Sequence, residues 1–485
     1  MVFFAGHTSH MFDFLSSDPA PARRDFSKFI EKEFSDCADF ESRALSAGGT
    51  SLTLFYLDGC VSVEQISDEI VHPLSRLRAR SESALLEDAL KGGIWACTVR
   101  KRTSCADAVS DIAAGYAALV FDDEHTALTF EVKTGDKRGV DAPTVEKSVL
   151  GAKDAFVESV RVNTALLRRR VGKPALKLWE TMVGSKTKTK VDILYIEGVA
   201  PAEHVERIKA RLSLPDIPAV LAAGDIEQYL APPPRGVFPQ VIHTERPDRF
   251  VLGLARGKIG VLCDGLPIGF LLPATLPDML RVQEDRARHA AVATALVLLR
   301  YLALFLSLVL PALYVAIAMY HQEMIPYKLL QNVIDSKQSV PFSTAAETLG
   351  MLLSFELLQE AGIRLPDPVG QTVSVIGALI VGQSAVEAKV LSPIVIIVVA
   401  MAGIAGYAQP SQELGAAIRL WRVALVIGAV VLGLYGVMAG LMLLLWRLCD
   451  MENLGVSYLS PLTDSRTGAL RHTLLRPPLR KEDRK

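Results

Sequence analysis

The sequence is poor in the residues that most often build small metal and redox sites. It contains six cysteines and nine histidines in 485 residues, and no two cysteines form a CxxC pair. A zinc site is therefore not predicted, and free thiols in a reducing compartment fit better than a disulfide framework. We predict no metal site and no cofactor.

Net charge is also nearly absent. The 52 basic and 53 acidic residues give a formal charge of −1, so there is no general electrostatic reason to expect a nucleic-acid partner. The N-terminus lacks the basic and apolar regions of a signal peptide, which leaves targeting to the first membrane helix. Residues 1–48 are predicted to be a flexible segment with a short helix around Arg24–Ala38.

Motifs of catalysis are missing too. The run Gly184 to Thr187 looks like the end of a phosphate loop, but Trp179 stands where that motif requires a glycine. The serine, histidine and aspartate residues form no nucleophile elbow or triad-like pattern. Acidic residues such as Asp58 and Glu197 are interpreted as turn residues. We therefore predict that the chain is not an enzyme.

An internal repeat organises the first half of the chain. The segment Leu52–Gly59 and the later segment Val191–Gly198 share a tyrosine and an acidic residue before glycine at matching positions. In each copy the pattern predicts a buried strand, an acidic-glycine turn and then a helix, at 63–74 and at 201–212.

Each copy also ends in a similar way. A run of apolar residues, an aspartate-bearing turn and a second apolar run predict hairpins at 119–133 and 260–272. We therefore predict two tandem cytosolic α/β subdomains, at 50–140 and 146–280. A helix over Asp154–Arg170 is expected to open the second, with its basic end at the C-terminus.

The last part of the chain is apolar enough for a membrane. The whole sequence is 50% hydrophobic with a mean hydropathy of +0.29, and the excess lies beyond residue 288. A spanning helix needs about 20 mostly apolar residues, and a helical transmembrane domain is predicted at 290–447. Its four predicted spans are Ala291–Tyr320, Val369–Glu387, Pro393–Tyr407 and Val423–Trp446.

A fifth segment, 342–361, is less clear because it carries three glutamates, which are costly in hydrocarbon. It is interpreted as a re-entrant or interfacial helix. Basic residues precede the first span and fill the predicted cytosolic tail at 448–485, so both termini are predicted to be cytoplasmic. An even number of crossings follows, in a multi-pass membrane protein.

Small and polar residues recur at helical spacing along the second span, and carboxylates lie close to it. Two interpretations stay open: a tight helix–helix contact or a permeation path. Carboxylate rings in an oligomer would favour cations, whereas an isolated carboxylate could pair with Arg364 or Arg300. The candidate residues are Gln371, Ser374, Ala378, Gly382, Gln383, Glu387, Glu356 and Glu360.

Several long segments resemble the A subunit of the GerA-type spore germination receptors. The most recognisable are the run Phe355–Pro366, the run Gly382–Ala388 and the tail segment Gly455–Leu462. The resemblance extends from about Val145 to Leu462. Between Arg281 and Ala293 the chain is rich in alanine and arginine, where the family usually has an acidic, tyrosine-bearing stretch.

The resemblance implies a component of a nutrient-sensing complex in the inner spore membrane or cell membrane. It would work with a transporter-like B subunit and a lipoprotein C subunit, and form a homo-oligomeric ion channel whose ion release triggers germination. Nutrient recognition is placed on the B subunit, so no ligand pocket is expected here. The alternatives are a non-conducting scaffold, or a member of the SpoVA-associated branch that assists dipicolinate release.

Overall fold

A computed structural model gives the fold of the chain. It describes residues 26–77, 81–133, 143, 146, 151–213, 217–231, 237–364, 383–463 and 475. These residues divide into two compact units. The first unit contains the chain up to Pro233 together with Val241–Pro273, and the second contains Pro234–Gln240 and the chain from Ala274 to Leu479.

The first unit contains two five-stranded antiparallel sheets with the same connectivity. The strands are β1 (Phe40–Ala47), β2 (Thr50–Leu57), β3 (Val99–Arg102), β4 (Ala117–Phe121), β5 (Thr126–Phe130), β6 (Leu176–Val183), β7 (Thr189–Ile196), β8 (Ile242–Thr244), β9 (Ile259–Cys263) and β10 (Gly269–Leu272). Their order is β1-β2-β4-β5-β3 in one sheet and β6-β7-β9-β10-β8 in the other. The two orders match strand for strand.

Helices connect the strands and cover the sheets. They are α1 (Phe26–Glu33), α2 (Val63–Gln65), α3 (His72–Arg76), α4 (Glu82–Asp88), α5 (Cys105–Ala113), α6 (Val160–Val171), α7 (Ala202–Leu212), α8 (Ala223–Leu230) and α9 (Pro247–Ala255). A π-helical stretch, Ile66–Val71, joins α2 to α3.

The predicted repeat is confirmed by this topology. In each copy a strand ends in a glycine turn, at Gly59 (φ 80°) and at Gly198 (φ 79°), and a helix follows. Both predicted hairpins are present, as β4–β5 and β9–β10. Every residue of these four strands is buried. In the first sheet, alternate residues of β4 and β5 belong to two different core clusters, so both faces of that sheet are covered.

The short helix expected around Arg24–Ala38 is present as α1, but the prediction that the rest of segment 1–48 is flexible is wrong for residues 40–47. Residues 40–47 form β1, and Phe26, Ile30 and Phe34 lie in the core of the first subdomain. The predicted helix Asp154–Arg170 is also too long, because α6 begins only at Val160. The side chain of Asn163 binds both the N–H and the C=O of Val157, which holds the residues before α6 in a non-helical path.

A buried ion pair joins the two subdomains of the first unit. The Arg168 guanidinium on α6 donates from Nη2 and Nε to the Asp39 carboxylate, at 2.7 Å and 2.8 Å. Its Nη1 donates to the carbonyl of Leu176 at 2.5 Å. Neither side chain of the pair is more than 2% exposed, so the charges are balanced by each other and by the backbone.

A second contact runs along the edge of the second sheet. The Lys177 ammonium on β6 donates to the carbonyls of Glu33 and Ser35, at 2.8 Å and 2.9 Å. Residue Cys37 forms a parallel bridge with Leu178 on the same strand. The chain between α1 and β1 therefore closes the outer edge of β6, which joins the two subdomains through backbone as well as side chains.

The second unit is helical. Its helices are α10 (Leu276–Leu280), α11 (Ala290–Tyr320), α12 (Tyr327–Lys337), α13 (Thr344–Arg364), α14 (Pro393–Tyr407), α15 (Gln412–Leu432) and α16 (Leu434–Asp450). Among the described residues, α11 and α15 are long and apolar enough to cross a membrane, and α14 is a shorter apolar helix. Most of the predicted second span lies outside the described residues.

Contacts between side chains fix the helix directions. We call the end of the unit where α11 begins the near end, and the end where it finishes the far end. Helix α15 runs parallel to α11, because Arg422 reaches Ser307 and Val430 accepts a hydrogen bond from Tyr320. Helix α14 runs the opposite way, because Gln409, just after it, donates to the carbonyl of Arg300.

The predicted fourth span, Val423–Trp446, is divided between two helices. Gly433, with φ 60° and ψ −138°, ends α15 and starts α16 in a conformation that side chains rarely adopt. The two helices then pack as a hairpin, in which Gly428 lies against Gly436 and Leu425 against Gly440. The segment looked continuous because its turn contains no polar residue.

Three separate segments meet at the near end of this unit. The Leu276 N–H donates to the carbonyl of Tyr458 at 2.8 Å. The carbonyl of Gln240 accepts from the Ala274 N–H and from the Asn453 side chain, both at 3.2 Å. Residues 237–240, 274–280 and 451–459 therefore form one hydrogen-bonded group, which we call the near-end cluster.

Candidate functional site

Only part of the predicted site lies within the described residues. Four of the predicted residues lie outside the described residues: Gln371, Ser374, Ala378 and Gly382. Gln383 and Glu387 lie in a short helical stretch, 383–387, where the Gln383 amide donates to the Glu387 carboxylate at 3.0 Å. Both side chains are exposed. Glu356 and Glu360 lie about one turn apart on α13.

Glu356 has a partner that the sequence did not suggest. The nearest pair of atoms is Arg419 Nε on α15 and Glu356 Oε2, at 3.3 Å, and each side chain is about one-third exposed (30% and 33%). Arg300, the partner considered from sequence, binds Asp285 instead, at 2.6 Å and 3.0 Å. The Glu356–Arg419 pair thus joins α13 to α15 on a half-open side of the helical unit.

A second arginine of α15 lies deeper. Arg422 is 2% exposed, and its Nη2 donates to the Ser307 hydroxyl on α11 at 2.6 Å. Its Nε and Nη1 have no hydrogen-bond partner among the described residues. Burial of a guanidinium with two unpaired donors is costly, which sets Arg422 apart from the other arginines described in the helical unit.

We call Glu356, Arg419, Arg422 and Ser307 the charge site. It lies between α11, α13 and α15, with Gly406 of α14 against it: a side-chain carbon at Gly406 would stand 3.2 Å from the Ser307 hydroxyl. Sequence reasoning missed the two arginines because it placed them outside the span. The signal was present, since a charge beside a long apolar run has to find a partner.

A fully buried carboxylate lies nearer the far end. Glu347 on α13 is 1% exposed, and its Oε2 accepts a hydrogen bond from the Ser392 N–H at 2.7 Å. Ser392 is the N-cap of α14, and its hydroxyl accepts from the Val395 N–H. The Lys337 ammonium on α12 lies 3.6 Å from Glu347 Oε1. Glu347 therefore ties α12, α13 and α14 together.

The first unit contains a buried carboxyl of its own. Asp192 on β7 is fully buried, pairs in register with Glu180 on β6, and has no hydrogen-bond partner among the described residues. Burial raises its pKa to about 7, partly opposed by Arg161 and reinforced by Glu180. Arg161 itself binds Glu180 at 2.6 Å and Asp58 at 3.3 Å, which leaves Asp192 without a full ion pair.

We expect Asp192 to make the stability of the first unit fall with rising pH. The pKa of Asp192 is about 7 in the folded chain and about 4 in the unfolded chain. Between these two pH values the folded chain binds a proton that the unfolded chain has lost, so the free energy of unfolding falls as the pH rises. The Asp192→Asn variant should lose this dependence. Its stability relative to wild type should rise by about 2 kcal/mol between about pH 5.5 and about pH 8.

Hydrogen exchange of the β7 amides in the detergent-solubilised chain measures this change. Asp88→Asn is the control, because the Asp88 side chain at the end of α4 is exposed. Equal pH dependence in wild type and Asp192→Asn would contradict the prediction. A constant offset from the buried asparagine amide would not, because it does not change with pH.

Comparison with known proteins identifies the family. The family model described as "Bacillus/Clostridium GerA spore germination protein" matches residues 28–485. The chain belongs to the GerA family. This result confirms the resemblance found in the sequence, and it extends the match to β1 and the first subdomain.

GerA-family relatives match over nearly their whole length. The membrane protein YfkQ of Bacillus subtilis is 34% identical over 444 residues, 91% of this chain and 86% of the relative. Spore germination protein KA of the same organism is 32% identical over 451 residues, 92% and 83% of the two chains. Spore germination protein GerLA of Bacillus cereus is 31% identical over 437 residues, 90% and 89%.

One solved structure is also similar. It is the crystal structure of the N-terminal domain of the A subunit of the Bacillus megaterium spore germinant receptor GerK3, which is 25% identical with a TM-score of 0.40. It covers 52% of this chain, and 94% of that domain is matched.

Proposed function

We propose that this GerA-family chain is the A-type membrane subunit of a nutrient-sensing germination receptor and forms an oligomeric ion channel with copies of itself. The complex would include a transporter-like B subunit and a lipoprotein C subunit, in the inner spore membrane, with both termini cytoplasmic. The relatives named as spore germination proteins, together with YfkQ, named as a membrane protein, support the receptor and the membrane.

The charge site is the observation that supports ion conduction. Charged groups inside an apolar helical unit are costly in lipid, so such groups most often mark a path for ions or a contact between subunits. The Glu356 and Arg419 side chains are about one-third exposed, and within the described part of the chain two donors of Arg422 have no hydrogen-bond partner. The carboxylates Glu356 and Glu360 would line the path, with the arginines setting how strongly the site holds an ion.

Charge reversal at Glu356 tests this proposal. In spores that carry the variant as their only A-type subunit, Glu356→Arg should lower nutrient-triggered potassium release by about tenfold, because three cations then repel one another. The double variant Glu356→Arg with Arg419→Glu restores an opposite-charge pair and should recover much of the release. Immunoblots of the membrane fraction measure subunit level.

Glu323→Arg is the matched control, because the Glu323 side chain is 75% exposed and lies outside the helical contacts of the charge site. It should leave potassium release near the wild-type rate. Wild-type release from Glu356→Arg spores with normal subunit level would reject the channel proposal.

A second candidate function is a non-conducting scaffold that docks partners through its duplicated first unit. The connection between the two subdomains favours this function, because the Asp39–Arg168 pair and the contact at the β6 edge hold them together. A scaffold predicts full potassium release in Glu356→Arg and loss of complex assembly when a core strand is disrupted, for example by Ile193→Asp. Co-purification of the B-type subunit distinguishes the two functions.

A further inference from the structure

Helix α12 has two chemically different faces. At about 100° per residue, its polar side chains fall together on one side and its apolar side chains on the other. The polar side carries Lys328, Gln331, Asn332 and Asp335, and the apolar side carries Tyr327, Leu329, Leu330, Val333 and Ile334. Lys337 lies in the middle of the apolar side, where it reaches Glu347.

The second unit covers only the middle of that apolar side. Val333 is buried, whereas Tyr327, Leu329 and Ile334 are 73%, 50% and 46% exposed. The flanking residues Met324 and Phe342 are also more than half exposed. Large apolar side chains gathered on one amphipathic element are unusual against water and indicate a further contact.

A cleft lies under the same helix. It has a volume of about 310 Å³ and is formed by α12 and the end of α11. Its apolar wall includes Ala318, Ile325 and Leu330, and its polar wall includes Gln322 and Gln338. The polar groups Lys337 and Thr344 also line the cleft, so the apolar side of α12 is not packed tightly against α11 along its whole length.

The position of α12 in the chain argues for a bilayer surface as its contact. It begins seven residues after the last residue of α11, Tyr320, and ends seven residues before the first of α13, Thr344. Both of those residues lie at the far end of the unit. An amphipathic helix at the end of an apolar spanning helix lies at the depth of the lipid headgroups.

The ion pair with Glu347 fixes this helix to the rest of the unit. Lys337 also donates to the Thr344 hydroxyl, so the end of α12 is held at the start of α13. Glu347 in turn holds the first turn of α14 through Ser392. These contacts link the end of α12 directly to the first turns of α13 and α14.

We propose that α12 is an interfacial helix, seated in the headgroup region at the far end, whose depth is coupled to α13 and α14 through Lys337, Glu347 and Ser392. Tyr327 and Ile334 insert towards the acyl chains, and Lys328 and Asn332 face water. The proposal rests on the membrane placement in the proposed function. It adds a lipid-contacting surface and a route by which the bilayer acts on the helical unit.

Nitroxide accessibility in vesicles of phosphatidylcholine and phosphatidylglycerol tests the placement. Single cysteines replace Ile334 on the apolar flank, Asn332 on the polar face and Leu302, an exposed residue in the middle of α11. Oxygen concentrates in lipid and a nickel chelate in water. Labels at 334 and 302 should be reached mainly by oxygen, and the label at 332 mainly by the chelate.

The native cysteines give little background labelling once three of them are replaced. Cys97, Cys105 and Cys449 are at least partly exposed and need replacement by alanine. Cys37, Cys60 and Cys263 are buried, and burial raises the pKa of each thiol, to about 12 for Cys60, so they label slowly.

Three results would overturn the proposal, and they are distinguishable. Chelate access at both 334 and 332, with oxygen access at 302, places α12 in water. A label at 334 that neither reagent reaches shows that a second copy or another protein covers the helix. Chelate access at 302 as well removes the membrane placement, and with it the proposed function.

Removal of the Glu347 charge tests the coupling. Glu347→Gln keeps the size of the side chain but leaves Lys337 without its counter-charge, so the contrast between 334 and 332 should be lost while 302 is unchanged. Lys337→Met should give the same result from the other partner. Glu323→Gln is the control and should keep the contrast. An unchanged contrast in both variants would reject the coupling.

Discussion

Replacing Asp39 with alanine should destabilise the first unit by about 3–5 kcal/mol, because it leaves the Arg168 guanidinium buried without a counter-charge. Arg168 donates to both Asp39 oxygens and to the carbonyl of Leu176, and its side chain is only 2% exposed. Urea unfolding of the solubilised chain, followed by hydrogen exchange in β2 and β6, measures the loss.

Two variants make this expectation specific. Glu41→Gln changes an exposed carboxylate on β1 and should be nearly neutral. The double variant Asp39→Leu with Arg168→Met removes both charges and should recover much of the lost stability, since buried ion pairs can often be replaced by apolar groups. A loss below about 1 kcal/mol in Asp39→Ala would mean that water reaches Arg168.

The second large effect is expected at the hairpin of α15 and α16. A side-chain carbon at Gly436 would lie 2.0 Å from the Gly428 carbonyl oxygen, and a backbone atom has no rotamer that moves it away. Gly436→Ala should therefore separate the two helices at a cost of about 1–3 kcal/mol or more. Thermal unfolding in detergent and the yield of monodisperse protein measure this cost.

Gly415→Ala is the matched control on the same hairpin, because nothing lies within 4 Å of a side-chain carbon there. Alanine is the better helix former, so this variant should be neutral or slightly stabilising. Equal melting temperatures for Gly436→Ala and Gly415→Ala would show that the close approach of the two helices is not needed.

The fold of the first unit could be predicted from the sequence where the internal repeat places the same pattern in both subdomains. Because strand, glycine turn and helix occur in both copies, each copy supports the prediction made for the other. The hairpins that end the two copies were also predicted at the right residues. Strand β1 was missed because an edge strand needs no apolar alternation: Glu41 to Ala44 are all exposed. Polar residues in such a strand look like a loop.

The candidate site was harder to predict, for a different reason. Glu356 and Arg419 are 63 positions apart in the sequence, and only the packing of α13 against α15 brings them within 3.3 Å. Hydropathy also cannot separate one long span from a hairpin whose turn is a single glycine, so Arg422 seemed to lie outside the apolar region. The sequence indicated that the Glu347 carboxylate is costly in hydrocarbon but not which groups bind it, because its partners lie on α12 and at the start of α14.

The near-end cluster connects the segment before α11 to the segment after α16 through direct hydrogen bonds. Residues 274–280 lead into α11, and they are hydrogen-bonded to the residues that follow α16. A pull on residue 274 therefore reaches α16 directly, without travelling along the 31 residues of α11. A force applied at the near end of this unit is therefore shared between α11 and α16, which are far apart in the sequence.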